Sequence, residues 1–138
     1  MKEEISALLL HQSTESQRLL KQSLEGRSIK VSWLKTCGEA LSLLREADPP
    51  LLVFTEALLP DGNWLDVIKL ALEALKPVKV IVVSPLADIK LYMDTMDGGA
   101  FDFIVPPMTS DELTHVLACA MENVLNLRRT QAMALAVV

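Results

Sequence analysis

Short apolar runs that alternate with segments of helical periodicity constrain this chain more than any other feature of its sequence. Residues 5–10, 51–54, 78–83 and 101–105 are nearly continuous in Leu, Val, Ile, Phe and Ala. Runs of that composition suit strands covered on both faces, as in a parallel sheet. A further run, residues 29–34, is mixed and reads as an edge strand. Between the runs, Leu19, Leu20 and Leu24 recur at helical spacing within 16–24, Ala40, Leu41 and Leu44 within 38–47, and Val67, Ile68, Leu72 and Leu75 within 65–75. Gly26 and Pro49-Pro50 follow the first two segments and stop them. Residues 88–97 are shorter and more polar, and residues 109–127 form the longest segment. The latter opens on Thr109 or Ser110 as N-cap, with Asp111 and Glu112 in its first turn. The order is (βα)5, which predicts an α/β doubly wound domain with a five-stranded parallel sheet and helices on both faces. In such a sheet the working residues lie just past the carboxyl ends of the strands. Here these are His11-Gln12, Thr55-Glu56, Ser84-Pro85 and Pro106-Pro107.

Bulk properties narrow the function classes. The 138 residues leave room for one domain with one core. With 51% hydrophobic and 22% charged residues the chain can fill that core. A net charge of −5 argues against non-specific attraction to nucleic acid or anionic lipid. The basic pair Arg128-Arg129 reads as the charge complement of a helix C-terminus. Cys37 and Cys119 stand apart, with no CxxC and no clustered histidines, so both read as small core or half-buried residues in a reducing compartment. No apolar stretch reaches the roughly 18–20 residues of a membrane span. The first apolar run follows Glu3-Glu4 and lacks the basic flank of a signal peptide. The expected location is cytoplasmic.

Two of the strand ends belong to longer motifs. Residues 51–63 read Leu-Leu-Val-Phe-Thr-Glu-Ala-Leu-Leu-Pro-Asp-Gly-Asn, and residues 98–107 read Gly-Gly-Ala-Phe-Asp-Phe-Ile-Val-Pro-Pro. With Ser84 between them, these motifs resemble the receiver domain of bacterial response regulators, in order and spacing and over nearly the full length of the chain. Pro60 falls on the family proline, Glu56 on the phosphoacceptor aspartate and Ser84 on the switch Ser/Thr. Gly99, Ala100, Phe103 and Pro107 match the last motif, where Pro106 replaces its lysine. His11 and Gln12 stand where the family places an acidic pair, and Arg18 fits a frequently basic position of the first helix. The resemblance implies a CheY-like, flavodoxin-like sheet of strand order 2-1-3-4-5.

It also implies a changed chemistry. In the family a Mg²⁺ is held by the acidic pair and the acceptor carboxylate, and the lysine binds phosphoryl oxygens. Mg²⁺ prefers oxygen ligands in octahedral array, and His11 and Gln12 supply no anion. Pro106 removes the cation that would offset an incoming phosphoryl group. The expectation is a pseudo-receiver: no enzyme, no cofactor, Mg²⁺ binding lost or weak, and signalling through protein contacts. Glu56 reaches one methylene further than aspartate. It either imitates the phosphorylated form, with Ser84, His11 or loop amides as partners, or points to solvent. His11 reads as a plain polar strand-end residue. Ser84 and Phe103 occupy the pair that couples pocket to surface, and Trp64 is expected near the pocket rim.

Two other readings stay open at this point. One is a phosphorylatable receiver in a phosphorelay that uses Glu56 or Asp61; Asp66, within the third helix, is a weaker substitute. The other is a flavodoxin-like small-ligand binder holding an anion at residues 13–16, Ser-Thr-Glu-Ser, which lack the glycine such a loop needs. A hydrolase has no support, because G-x-S-x-G and H-E-x-x-H are both missing from the sequence.

In the family, partners and dimers use the face made by the fourth helix, fifth strand and fifth helix. Here that face would present Lys90, Asp94, Asp97, Asp102, Phe103, Glu112 and His115. Leu113, Leu117, Ala120, Val124, Leu127, Gln131, Ala134 and Val138 recur at alternating steps of four and three, the seam of a coiled coil. The expected division is a receiver-like domain over 1–127 and a helical extension or interdomain linker over 128–138, leading to a C-terminal output domain in a longer chain.

Overall fold

The computed structural model describes residues 5–11 and 15–136, the side chain of Ser16 excepted. Five parallel strands, β1 (Ser6–Leu10), β2 (Lys30–Leu34), β3 (Leu52–Glu56), β4 (Lys79–Val83) and β5 (Asp102–Ile104), form one sheet in the order β2-β1-β3-β4-β5. The mixed run sits at the edge as expected, and β1, β3 and β4 are buried along almost their whole length. The direction of the strand order changes between β1 and β3, which opens a crevice above their carboxyl ends. This is the predicted doubly wound α/β fold.

Successive strand residues point to opposite faces, so the sheet has two cores. Ala7, Leu9, Phe54 and Ile81 pack under α1 (Glu15–Glu25) and α5 (Ser110–Ala136) against Leu20, Leu24, Leu113 and Leu117. Leu8, Leu10, Val53 and Val82 pack under α2 (Cys37–Leu44) and α3 (Trp64–Leu72) against Ala40, Leu44, Val67 and Ile68. Burial of each such side chain stabilises the fold by about 1.5–3 kcal/mol relative to exposure. The fourth helix, α4 (Ile89–Asp97), is the loosest, with Thr95 as its buried residue.

Helix starts follow their caps. Thr36 accepts from the Glu39 amide, Asn63 and Asp66 form a reciprocal capping box, and Asp88 accepts from the Leu91 amide. Thr109 accepts from the Glu112 amide at 3.1 Å, so it is the N-cap of α5.

Several expectations need correction. The last helix is one continuous element to Ala136, taking in the expected helical extension after 127. Arg128 therefore lies inside the helix and does not neutralise its C-terminus. It donates from Nε to the Pro77 carbonyl at 2.8 Å, and from Nη2 to the Pro49 and Pro50 carbonyls at 3.0 Å each. Cys37 is buried as expected, but Cys119 is exposed, because it lies opposite the buried stripe of α5. Leu72 and Leu75, read as part of an apolar helix face, are exposed where α3 ends. A small antiparallel hairpin, Leu58–Leu59 with Gly62–Asn63, joins β3 to α3 and had no counterpart in the sequence reading. Among the described residues no helix is long and apolar enough to cross a membrane.

Candidate functional site at the carboxyl edge of the sheet

His11 follows β1 and its backbone N–H donates to the Leu34 carbonyl at 3.1 Å, which extends the pairing with β2. Its side chain is 0% exposed. The imidazole lies 4.0 Å from the Trp33 ring, centroid to centroid, at a tilt of 42°, and the Lys21 ammonium sits 5.5 Å from that ring. His11 is thus a polar residue at the end of β1 whose side chain is buried against Trp33 of β2. Gln12, with Ser13 and Thr14, lies outside the described residues.

Glu56 closes β3, in register with Val83 and half-buried. The chain then turns through the hairpin, and Asp61 at its tip is committed elsewhere. Its carboxylate accepts from the backbone N–H groups of Cys37 at 2.8 Å and Gly38 at 3.0 Å, the first amides of α2. Those amides, Cys37 first, hold the Asp61 carboxyl below the usual carboxylate range. The neighbouring Cys37 thiol is pushed up to about 11, chiefly by burial and then by the charge of Asp61. Asp66 accepts from the Asn63 amide at 2.9 Å as the second half of the capping box. A Cβ at Gly62 would lie 2.7 Å from Asp66 Oδ2 and 3.1 Å from Cys37 Sγ, so the tightness of this hairpin requires glycine. Neither substitute aspartate is free to face the crevice.

Ser84 is buried past β4. Its hydroxyl donates to the Leu86 carbonyl at 2.7 Å and accepts from the Leu86 amide at 3.2 Å, closing on its own loop. Phe103 is half-buried on β5 and meets Tyr92 of α4 edge-on, with ring centroids 5.7 Å apart. Pro106 and Pro107, joined by a cis bond, follow β5. The Trp64 indole, at the first turn of α3, packs against the C-cap of α4, where a Cβ at Gly98 would lie 2.5 Å from its Cζ3.

Carboxylates at the strand ends thus reduce to Glu56, with Asp61 used as a helix cap. Among the described residues no group of three His, Cys, Asp or Glu is placed to hold a metal ion. Among the described residues the side-chain donors at this edge are one carboxylate, a hydroxyl bonded to its own loop and a buried imidazole, a poor match to the oxygen-rich octahedron of Mg²⁺.

The profile of the response regulator receiver domain matches residues 8–118. This chain belongs to that family. Among curated relatives, the receiver domain is 25% identical over 118 residues to the photosynthetic apparatus regulatory protein RegA of Cereibacter sphaeroides, covering 86% of this chain and 64% of RegA. It is 26% identical over 115 residues to the C4-dicarboxylate transport transcriptional regulatory protein DctD of Pseudomonas aeruginosa, covering 83% of this chain and 25% of DctD. The chain therefore spans less than two thirds of either relative. Among solved structures, a response regulator from Thermotoga maritima superposes with TM-score 0.73 at 25% identity, over 87% of this chain and 99% of that one. The signal receiver domain of an HD domain-containing protein from Pseudomonas fluorescens Pf-5 superposes with TM-score 0.80 at 20% identity, over 94% and 95%, a likeness of fold. As a receiver domain the protein is a signalling module of two-component type. Sequence reasoning missed Trp33 and the capping role of Asp61. Trp33 could have been suspected from an aromatic on the strand beside His11, whereas the capping by Asp61 joins residues too far apart in sequence to be read.

Proposed function

We propose that this receiver domain is a pseudo-receiver, which acts through protein contacts in the cytoplasm and not through aspartyl phosphorylation. The observation that supports this best is the fate of His11: at the first acidic-pair position stands a fully buried imidazole packed against Trp33. Phosphoryl transfer depends on cations fixed around the developing charge. Glu56 offers a single carboxylate, and Pro106 replaces the lysine. A Ser84 hydroxyl bound to Leu86 supports a loop fixed in one shape.

The test is incubation with acetyl phosphate and Mg²⁺ followed by intact mass. No mass gain is expected. A gain of one phosphoryl group that disappears in Glu56→Gln or Asp61→Asn would overturn the reading.

The surface supports a contact role. Ile89 and Met93 lie one turn apart on the outer side of α4 and are 75% and 56% exposed, with Tyr92 beside them at 46% and Leu86 in the preceding loop at 72%. An apolar cleft of about 250 Å³ also runs between α1 and the β5–α5 loop, lined by Leu19, Leu20, Pro106, Pro107 and Leu113. Apolar surface of this kind on a small domain marks interaction sites. The partners proposed for the α4, β5 and α5 face are an output domain or a second copy of the receiver.

A further inference from the structure

The outward face of α5 holds a pair of side chains that neither the fold nor the crevice uses. Leu113, Leu117, Ala120 and Val124 are buried against the sheet, and His115 and Cys119 lie on the opposite side of the helix, exposed to solvent. They are one turn apart, and His115 Nε2 is 3.8 Å from Cys119 Sγ. In tetrahedral zinc sites Zn–S is about 2.3 Å and Zn–N about 2.0–2.1 Å, which sets the sulfur-to-nitrogen edge at about 3.6 Å. The pair therefore stands within a fraction of an ångström of the spacing a tetrahedral ion imposes, on a rigid helix. Glu112 and Glu122 flank it, exposed, and add negative charge.

Two ligands are half of a closed site, since structural zinc takes four. Among the described residues no group of three His, Cys, Asp or Glu is placed to hold a metal ion, so the flanking glutamates do not complete the site within one chain. The face does permit approach of another helix: Thr114 and Ala118 beside the pair are small and exposed. Helix axes pack at about 8–10 Å when contact residues are of this kind. The exposed large apolar residues of α5, Leu127, Met133 and Leu135, all lie further along, so this part of the face has no hydrophobic reason to pair without an ion.

We propose that His115 and Cys119 form half of a site for a soft divalent cation of the Zn²⁺ class, completed by the same two residues of a second copy. Such a two-fold contact is self-complementary and gives a Cys2His2 set. Dimerisation through this face is then a response to metal.

Co²⁺ titration of the full chain under reducing conditions tests this, with absorption spectra and sedimentation read together. Expected are the intense visible bands of four-coordinate Co²⁺ and a thiolate charge-transfer band, saturating at one ion per two chains, with a dimer that EDTA dissociates. Cys119→Ser removes the charge-transfer band, and His115→Ala weakens binding at least about tenfold. Both sites are exposed, and circular dichroism checks that the variants fold. Cys37→Ala retains the spectrum, because that thiol is buried elsewhere. A pale six-coordinate spectrum, saturation at one ion per monomeric chain, or a dimer that survives EDTA and falls apart with reductant would each overturn the proposal.

Discussion

The two ends of the sheet use polar groups in different ways. At the amino edge a single guanidinium, Arg128, binds the carbonyls of Pro49, Pro50 and Pro77 and so ties α5 to two loops remote in sequence. Lys76 pairs with Asp48 at 2.9 Å, and Gln131 donates to the Leu75 carbonyl at 2.9 Å, close by. At the carboxyl edge several ties are short-range or between neighbours: Ser84 to Leu86, Asn63 to Asp66, His11 to Trp33 on the adjacent strand. Asp61, reaching to the first amides of α2, is the longest of them. A fixed cation thus stands at the amino edge, while Pro106 and Pro107 follow β5 at the carboxyl edge. The difference is one of reach: the amino-edge groups tether α5 to loops remote in sequence, whereas most of these carboxyl-edge groups hold their own loop or the adjacent strand.

The largest effect expected from a single substitution is accordingly at the amino edge. Arg128→Met keeps much of the side chain's apolar length and removes its donors. Hydrogen bonds to charged groups contribute about 1.5–3 kcal/mol each, and unpaired buried carbonyls add a desolvation cost. A loss of about 2–4 kcal/mol of unfolding free energy is expected, measured by urea denaturation with an unchanged slope. Arg128→Lys should recover little, because an ammonium cannot span the same fork. A loss below about 0.5 kcal/mol, the range of ordinary surface substitutions, would break the contrast between the two ends.

A smaller loss is expected at the carboxyl edge from His11→Ala. It deletes a buried ring and its aromatic contact, an effect of about 1–3 kcal/mol. His11→Phe should keep most of the packing and cost less than the alanine variant. If His11 were instead a poised ligand, alanine would be nearly neutral in the metal-free protein. Trp33 emission in a Trp64→Phe background offers an independent reading, since the imidazole lies against that ring.

The sequence made the architecture legible because its strongest signals are periodic and local. Buried strands are continuous apolar runs, helix starts are marked by Thr36, Asn63, Asp88 and Thr109, and edge strand β2 is the mixed one. Boundaries drifted where burial does not govern the chain. The last helix outruns its buried stripe, since Arg128 and Gln131 still hold it to the loops below and helical propensity carries it on to Ala136. That Glu56, Ser84, Phe103 and Pro106 lie at or beside the carboxyl ends of strands could be read from motif spacing. Their contacts could not, because Asp61 meets α2 and Trp33 covers His11 only after distant segments are brought together, and no periodicity encodes that.

The smallest effect sharpens the comparison most, because each end carries one aspartate with a lowered carboxyl pKa and the two arise differently. Asp61 is held down by backbone amides, Asp48 first by its hydrogen bond to Lys76 and then by that ammonium's charge. In both, the folded value lies below the unfolded one, which is about 3.9. Each carboxylate therefore stabilises the fold fully above that value and loses its contribution as pH falls through the lower folded value. Both groups are exposed and screened by solvent, so each effect should be no more than a few degrees in melting temperature. Asp61→Asn and Asp48→Asn should melt below the parent at neutral pH, and the gap should close below about pH 4. Salt separates them. An exposed ion pair is screened by about 0.5 M salt, where the Debye length is only a few ångströms, so the Asp48 gap should vanish. Hydrogen bonds between Asp61 and the amides of Cys37 and Gly38 are made at contact, so most of its gap should remain. A gap for Asp61→Asn that ignores pH, or that disappears with salt as that of Asp48→Asn does, would show that the hairpin is not anchored to α2 by the carboxylate's charge. The carboxyl edge would then lack the tie that joins the β3–α3 hairpin to α2.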